Sequence, residues 1–162
     1  MNAGNDSVEK AYERALNLLD KRARTEWEIK DRLLRAGFSE ELALKTLDRL
    51  RGAGLVDDED YAQRYMEALA GKGQGKLRIA AAMRQKGIPE ELLRNTLEDG
   101  LLHEDEYARA KDAAQKSFSA IPEGTDSRKA ASKVSRRLVT LGFSYDIIGE
   151  VINDLKLTNE TG

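Results

Sequence analysis

One pattern of apolar residues occurs three times in the chain, at offsets of 50 and 105 residues. In the first repeat, Ile29 and Leu33 precede Gly37–Phe38–Ser39, and Leu42 and Leu47 follow. The equivalent residues are Ile79, Met83, Gly87–Ile88–Pro89, Leu92 and Leu97, and then Val134, Leu138, Gly142–Phe143–Ser144, Ile147 and Ile152. Spacings of three and four residues put these side chains on one helical face, and glycine ends a helix. The pattern therefore predicts tandem helical modules, which usually bind large partners.

Capping residues predict where the helices begin and end. Thr25–Glu28 fits a capping box before a helix that Gly37 ends in the left-handed conformation. Ser39 fits the N-cap of the next helix, Asp57 or Asp58 the one after, and Pro89 the first turn of a later one. No segment alternates with period two, so no strand is expected. We expect an all-α solenoid of three three-helix repeats at 8–54, 57–100 and 103–155, with a disordered segment 1–7 and a tail 156–162.

Composition excludes several classes of protein. The chain of 162 residues has no cysteine, which rules out disulfides, thiolate catalysis and cysteine zinc sites. Aromatic residues make up only 6%, so a base-stacking platform is not expected. No apolar run approaches a membrane span, and residues 1–10 lack a signal-peptide core. We therefore expect a cytoplasmic protein that makes no contact with membranes, and we expect it to be a monomer.

Charge is strongly segregated along the chain, although the net charge is only −2. Two stretches, 71–88 and 127–143, contain five basic residues each and no acid, whereas 89–107 carries seven acids. The ten basic residues are Lys72, Lys76, Arg78, Arg84, Lys86, Arg128, Lys129, Lys133, Arg136 and Arg137. In helical projection Arg78 and Arg84 point away from the apolar face. Lys133 occupies the repeat position of Arg78, and Arg136 points outward, so two modules project cations from the same helix. These residues are either a surface for an anionic partner or an ordinary solvated face.

The sequence partly resembles two motifs, the helix-turn-helix and the phosphate loop, but matches neither. A helix-turn-helix reader would place helix 90–99 or 144–155 in the major groove, yet both helices are acidic. Base reading is therefore not expected, while contact with the phosphate backbone stays open. The segment Gly71–Lys76 lacks the preceding strand and the Gly-Lys-Ser/Thr ending of a phosphate loop. It is interpreted as a hinge or a close approach between modules, and 118–127 as a second flexible segment.

Residues suited to catalysis are scarce. His103 is the only histidine and lies among acids at a predicted helix start, where an ordinary surface role is expected rather than that of a ligand. The carboxylates cluster at predicted helix N-termini, where the helix dipole explains them, and Asp57–Asp60 fits capping better than metal binding. We expect no enzyme activity, no metal, no cofactor and no catalytic residue.

Two motifs carry a resemblance to a known family. Gly54–Ala62 (GLVDDEDYA) followed by Tyr65, and Gly73–Ile79 (GQGKLRI) followed by Lys86–Ile88, resemble the signature of bacterial RecX regulatory proteins. The resemblance covers about residues 8 to 155. The chain departs from it at Lys76, where the family often has proline, and the third repeat resembles it only through its apolar pattern.

The resemblance implies an elongated, curved, all-helical regulator of the RecA recombinase, acting in DNA repair and recombination. Such proteins bind RecA and its filament on DNA, lie along the filament groove, and inhibit recombinase and ATPase activity. The ten basic residues would then contact acidic RecA surface or filament DNA. Two alternatives remain open: a protein that binds the DNA backbone without RecA, and a general protein-interaction solenoid.

Overall fold

A computed structural model describes residues 7–155, and every regular element in that range is an α-helix. The helices are α1 Val8–Lys21, α2 Glu26–Arg35, α3 Glu40–Gly52, α4 Asp58–Gly71, α5 Lys76–Gln85, α6 Glu90–Gly100, α7 His103–Ser119, α8 Ser127–Leu141 and α9 Tyr145–Asp154. This confirms the all-α repeat class and the expectation of no strand across 7–155. The segments 1–6 and 156–162, expected to be a disordered start and a tail, lie outside the described residues.

Local capping signals fix most helix starts. Thr25 Oγ1 accepts a hydrogen bond from the backbone N–H of Glu28, and Glu28 Oε1 accepts one from that of Thr25, so the capping box is confirmed. Ser39 caps α3 as predicted, by accepting from the N–H of Leu42. Ser7, which the sequence analysis assigned to the disordered segment, instead caps α1. Its hydroxyl satisfies an N–H that the first turn leaves unpaired.

One helix boundary differs slightly from its prediction, and the structure decides between two candidate caps at another. Pro89 was expected to open α6 but precedes it, since α6 begins at Glu90 and the Pro89 carbonyl accepts from the N–H of Leu93. Of the two aspartates offered as caps for α4, Asp57 has that role, because its carboxylate accepts from the N–H of Asp60 at 3.1 Å. Asp58 instead binds a backbone N–H of α2, so each of these two aspartates has a structural partner.

The chain forms two compact units, and the middle repeat contributes to both. The first unit combines the chain up to Arg64 with Met83–Leu93, and the second combines Tyr65–Ala82 with the chain from Arg94 onward. The unit boundaries therefore cut α4, α5 and α6 rather than falling between repeats. The physical reason is that the N-terminal ends of α2 and α5 each contact residues of the following repeat.

The first unit is built on α1, α2 and α3, which pack against one another. Its core contains the apolar stripe predicted from the sequence, with Ile29 and Leu33 fully buried on α2. The other core residues are Ala11, Ala15, Phe38, Ala43, Leu47, Leu50 and Val56. Burying the larger aliphatic side chains of this core contributes roughly 1.5–3 kcal/mol each.

The second unit is built on α7, α8 and α9, each in contact with the other two. Val134 and Leu138 of α8 are fully buried and meet Ala110 and Ala114 of α7, whose small side chains allow the helices to approach closely. The remaining core residues are Ala131, Phe143, Ile147, Ile148, Val151 and Ile152. The third repeat thus has a core of its own, although in the sequence only its apolar pattern indicated this repeat.

Candidate functional site

The N-terminus of α2 contacts the turn before α6 in the first unit. Thr25 Oγ1 donates to the carbonyl of Lys86 at 2.6 Å, and the N–H of Glu26 donates to Asp58 Oδ1 at 3.0 Å. Gly87 has a φ of +75°, and a Cβ at this position would overlap the side chain of Trp27. Only glycine fits this close approach without strain. Residues of the first repeat are therefore held against the start of α4 and the α5–α6 turn.

The N-terminus of α5 makes the equivalent contact with the turn before α9 in the second unit. The N–H of Gly75 donates to the carbonyl of Leu141 at 2.7 Å, and that of Leu77 to the carbonyl of Gly142 at 2.9 Å. A Cβ on Gly75 would lie 2.5 Å from the Gly142 carbonyl. Of the two interpretations offered for the glycine-rich segment, the structure shows a close approach at Gly75.

A carboxylate completes each of these helix-to-turn contacts. Glu106 of α7 accepts from the N–H of Lys76 at 3.1 Å, just as Asp58 of α4 accepts from that of Glu26. Glu106 is only 5% exposed, and the hydrogen bond from Lys76 satisfies one of its buried carboxylate oxygens. An acid from the following repeat therefore caps the middle helix of the preceding one and complements its dipole. This arrangement fixes where the basic α5 begins.

The repeat position shared by Arg78 and Lys133 holds Glu28 in the first unit. Glu28 Oε2 lies 2.8 Å from Arg22 Nη2 and 3.9 Å from Lys86 Nζ. Burial of Glu28 opposes its charge, but hydrogen bonds from Arg22 and from the N–H of Thr25, together with the nearby cations, outweigh burial and hold its pKa below the ordinary 4.5. The same repeat position thus has a structural role in the first unit.

This depressed pKa predicts acid sensitivity of the first unit. A carboxylate with a lowered folded pKa contributes stability above the unfolded value, and that stability is lost as pH falls from about 4.5 through the folded pKa. We expect Glu28→Gln to be slightly less stable at neutral pH, by less than about 1 kcal/mol since Arg22 is 45% exposed, and to lose less stability on acidification. Urea unfolding at a series of pH values measures both; parallel curves for the two proteins would contradict the assignment.

The structure gives partners to several of the basic residues predicted to bind. Arg84 pairs through two nitrogens with Glu90, at 2.8 and 3.0 Å. This partner is not apparent from the sequence, because Glu90 lies on the next helix, beyond the acid-free stretch that ends at residue 88. Arg78 donates to the carbonyl of Thr140 at 3.3 Å and packs over Gly142. Lys86 lies near Glu28, and the backbone of Lys76 contacts Glu106.

The basic residues of α8 lie on an exposed face. Arg128, Lys129, Lys133, Arg136 and Arg137 are all exposed. At 100° per residue, Lys129, Lys133 and Arg136 lie within about 60° of one another, and this trio is called the α8 basic face. Within residues 7–155, no carboxylate forms an ion pair with the trio, and Arg136 Nε contacts only the carbonyl of Ser132 in its own helix. The side chains of Lys133 and Arg136 are both exposed, as expected for residues that project outward.

A cleft of about 750 Å³ lies between the end of α4, α7 and α8 in the second unit. It brings Lys72 and Arg137 of the predicted set together with Arg109 and Lys116, which lie outside that set. Arg109 and Lys116 lie seven residues apart on α7, and thus on one helical face. This spacing could have identified the two cations from the sequence, but the acids at the start of α7 made the helix look acidic.

The polar residues of α7 that face α9 have structural partners. His103 Nε2 lies 2.7 Å from Glu150 Oε2, and the hydroxyl of Tyr107 donates to Asp154. Both contacts join α7 to α9 one helical turn apart, which agrees with the surface role expected for His103. None of the helices described between residues 7 and 155 is long and apolar enough to cross a membrane.

The fold and its contacts define an all-α protein of tandem three-helix repeats with a basic helical face. The chain matches three family models in order. The first three-helix domain of RecX matches residues 11–50, the second three-helix domain matches 57–97, and the third three-helix domain matches 104–152. The chain belongs to the RecX family of regulatory proteins. The resemblance drawn from the two motifs is thereby confirmed, and it extends to the third repeat.

Similar proteins cover almost the whole chain. Regulatory protein RecX of Mycolicibacterium vanbaalenii is 34% identical over 158 residues, covering 94% of this chain and 85% of that protein. Regulatory protein RecX of Clostridium botulinum is 30% identical over 153 residues, covering 94% and 71%. The crystal structure of RecX from Lactobacillus salivarius matches with a TM-score of 0.81 at 27% identity, covering 93% of this chain and 97% of that one. Membership of a regulatory family fits the expectation of a non-enzyme.

Proposed function

We propose that this protein binds the RecA recombinase and its filament on DNA, and inhibits ATP hydrolysis and strand exchange by that filament. The observation that carries this proposal is the match of all three repeats, in order, to the RecX family of regulators. A regulator of this kind acts by binding alone, so its activity depends on exposed surface rather than on a reactive centre.

The α8 basic face supplies the surface on which the proposal depends. Its three cations are exposed and project from a helix whose opposite side, at Val134 and Leu138, is fully buried. Because they lack carboxylate partners among the described residues, their charge is available to an acidic protein surface or to DNA phosphates. A RecA filament on DNA offers both. Charges of this kind mainly speed association and set specificity.

ATP hydrolysis by RecA tests the proposal. RecA is assembled on single-stranded DNA, and the purified protein is titrated into it while hydrolysis and filament length are followed. We expect hydrolysis to fall at protein concentrations well below that of RecA, because one regulator bound to a filament affects many subunits. Unchanged hydrolysis and intact filaments at an excess of the protein would contradict the proposal. DNA without RecA, incubated with the same protein, serves as the control for sequestration of the strand.

A further inference from the structure

The cleft of the second unit concentrates positive charge on three segments of the chain. Lys72 follows α4, Arg109 and Lys116 lie on α7, and Arg137 lies on α8. Asp112 is the single acid among the lining residues, and it is paired with Lys116 at 3.0 Å. The other three cations, Lys72, Arg109 and Arg137, form no ion pair with a carboxylate among residues 7–155. Such convergence in a concave site favours an anionic ligand.

Arg109 is the one cation among the four that line the cleft that is not exposed to solvent. Its Nε donates to the carbonyl of Gln74 at 3.4 Å, while its Nη2 is buried and has no hydrogen-bond partner within the described chain. Burial lowers the pKa of Arg109, even though Glu106 and Asp105 favour its charge. A buried guanidinium nitrogen without a partner is costly. An anion bound in the cleft beside this guanidinium would reduce that cost.

The remaining lining residues indicate what kind of anion fits. Apart from Ser117 and Leu141 they are alanine and glycine, and no aromatic side chain is present. Peptide ligands are usually held by large apolar anchors in matching pockets, and bases by aromatic stacking. This cleft offers neither, but its small residues allow a chain to approach the cations closely. Charge without anchors is the arrangement used to hold a phosphate backbone irrespective of sequence.

We infer that this cleft binds the phosphodiester backbone of a nucleic-acid strand, with Arg109, Arg137 and Lys72 contacting its phosphates. The inference rests on the proposed function, since a recombinase filament would present such a strand. It places the contact with DNA in this cleft, so that the α8 basic face is available to contact the protein partner. It also predicts binding that is independent of sequence and strongly dependent on salt.

Binding of a labelled strand tests the inference without RecA. The probe is a fluorescein-labelled oligothymidine of about 20 nucleotides, followed by anisotropy over a series of salt concentrations. We expect Arg109→Gln/Arg137→Gln to weaken binding at least about tenfold and to reduce the salt slope by about one to two. Since Arg109 is half-buried, Lys72→Gln/Arg137→Gln at exposed sites supplies a second variant whose folding is not at risk. The matched control is Arg14→Gln/Arg94→Gln, which removes the same charge from exposed sites outside the cleft.

Competitors distinguish the possible occupants. Unlabelled oligothymidine is expected to displace the probe, whereas inorganic phosphate and polyglutamate at equal charge concentration are not. Displacement by phosphate would replace the inference with a site for a free phosphate group, and displacement by polyglutamate with a site for an acidic protein segment. Equal binding by the cleft variants and the control would overturn it. Because RecA is absent, these outcomes are separate from failure of the proposed function, which the ATP hydrolysis assay reports.

Discussion

Replacing Gly142 with alanine is expected to lower the free energy of unfolding of the second unit by about 2–4 kcal/mol. Gly142 has a φ of +91°, a conformation that alanine adopts only with strain. Its new Cβ would lie 2.6 Å from the backbone nitrogen of Arg78, and that nitrogen belongs to a helix that cannot move aside locally. The contact between the start of α5 and the α8–α9 turn would have to open.

Gly149→Ala is the matched control for this prediction. Gly149 lies inside α9 of the same unit, and a Cβ added there would have nothing within 4 Å. Alanine is therefore expected to leave stability unchanged or raise it by up to about 1 kcal/mol. Urea unfolding followed by circular dichroism measures both variants. If Gly142→Ala unfolded at the same urea concentration as the control, the helix-to-turn contact would not contribute to stability as described.

The sequence predicted local structure well because the signals involved act over a few residues. The Thr25–Glu28 capping box and the Ser39 cap each join residues three apart, and the buried stripe of Ile29 and Leu33 follows from helical periodicity alone. Gly142 was likewise predicted to end a helix, and it does so with a positive φ. Nothing local, however, indicated that Arg78 would pack on it from 64 residues away.

The candidate site was predicted less completely because its geometry depends on contacts between distant segments. Arg84 lies in an acid-free stretch of the sequence, but in the structure it pairs with Glu90 of the next helix. Arg109 was passed over because acids begin α7, yet the fold places it beside Lys72 and Arg137 in one cleft. Charge counted along a sequence therefore identified the basic segments, whereas tertiary packing decides which of their cations remain exposed and unpaired.

The three equivalent repeat positions illustrate this difference. Glu28 stabilises a capping box and an ion pair, and Arg78 packs against the Gly142 turn, so both residues support a helix-to-turn contact. Lys133 is exposed, as Arg78 is, but the start of α8 has no further repeat to contact among the described residues. The third repeat is therefore the one in which this position is available for a partner. Because Arg78 also supports a helix-to-turn contact, a substitution there would change stability as well as binding.

Reversing two charges of the α8 basic face is expected to weaken inhibition of RecA strongly. In Lys133→Glu/Arg136→Glu, two exposed cations become anions on a face that lacks carboxylate partners among the described residues. An acidic surface of the protein partner would then be repelled rather than attracted. We expect the concentration giving half-maximal inhibition of RecA ATP hydrolysis to rise about tenfold or more, with the melting temperature unchanged.

The control variant Lys10→Glu/Arg14→Glu makes the same change in net charge on the exposed side of α1. It separates a local contact from general repulsion by a more acidic protein, because only the latter would affect both variants equally. Equal loss in the two variants would assign the effect to net charge, and wild-type inhibition by Lys133→Glu/Arg136→Glu would exclude the α8 basic face as the RecA contact. If the α8 variant loses inhibition but still binds oligothymidine, the protein and nucleic-acid contacts of this chain lie on separate surfaces of the second unit.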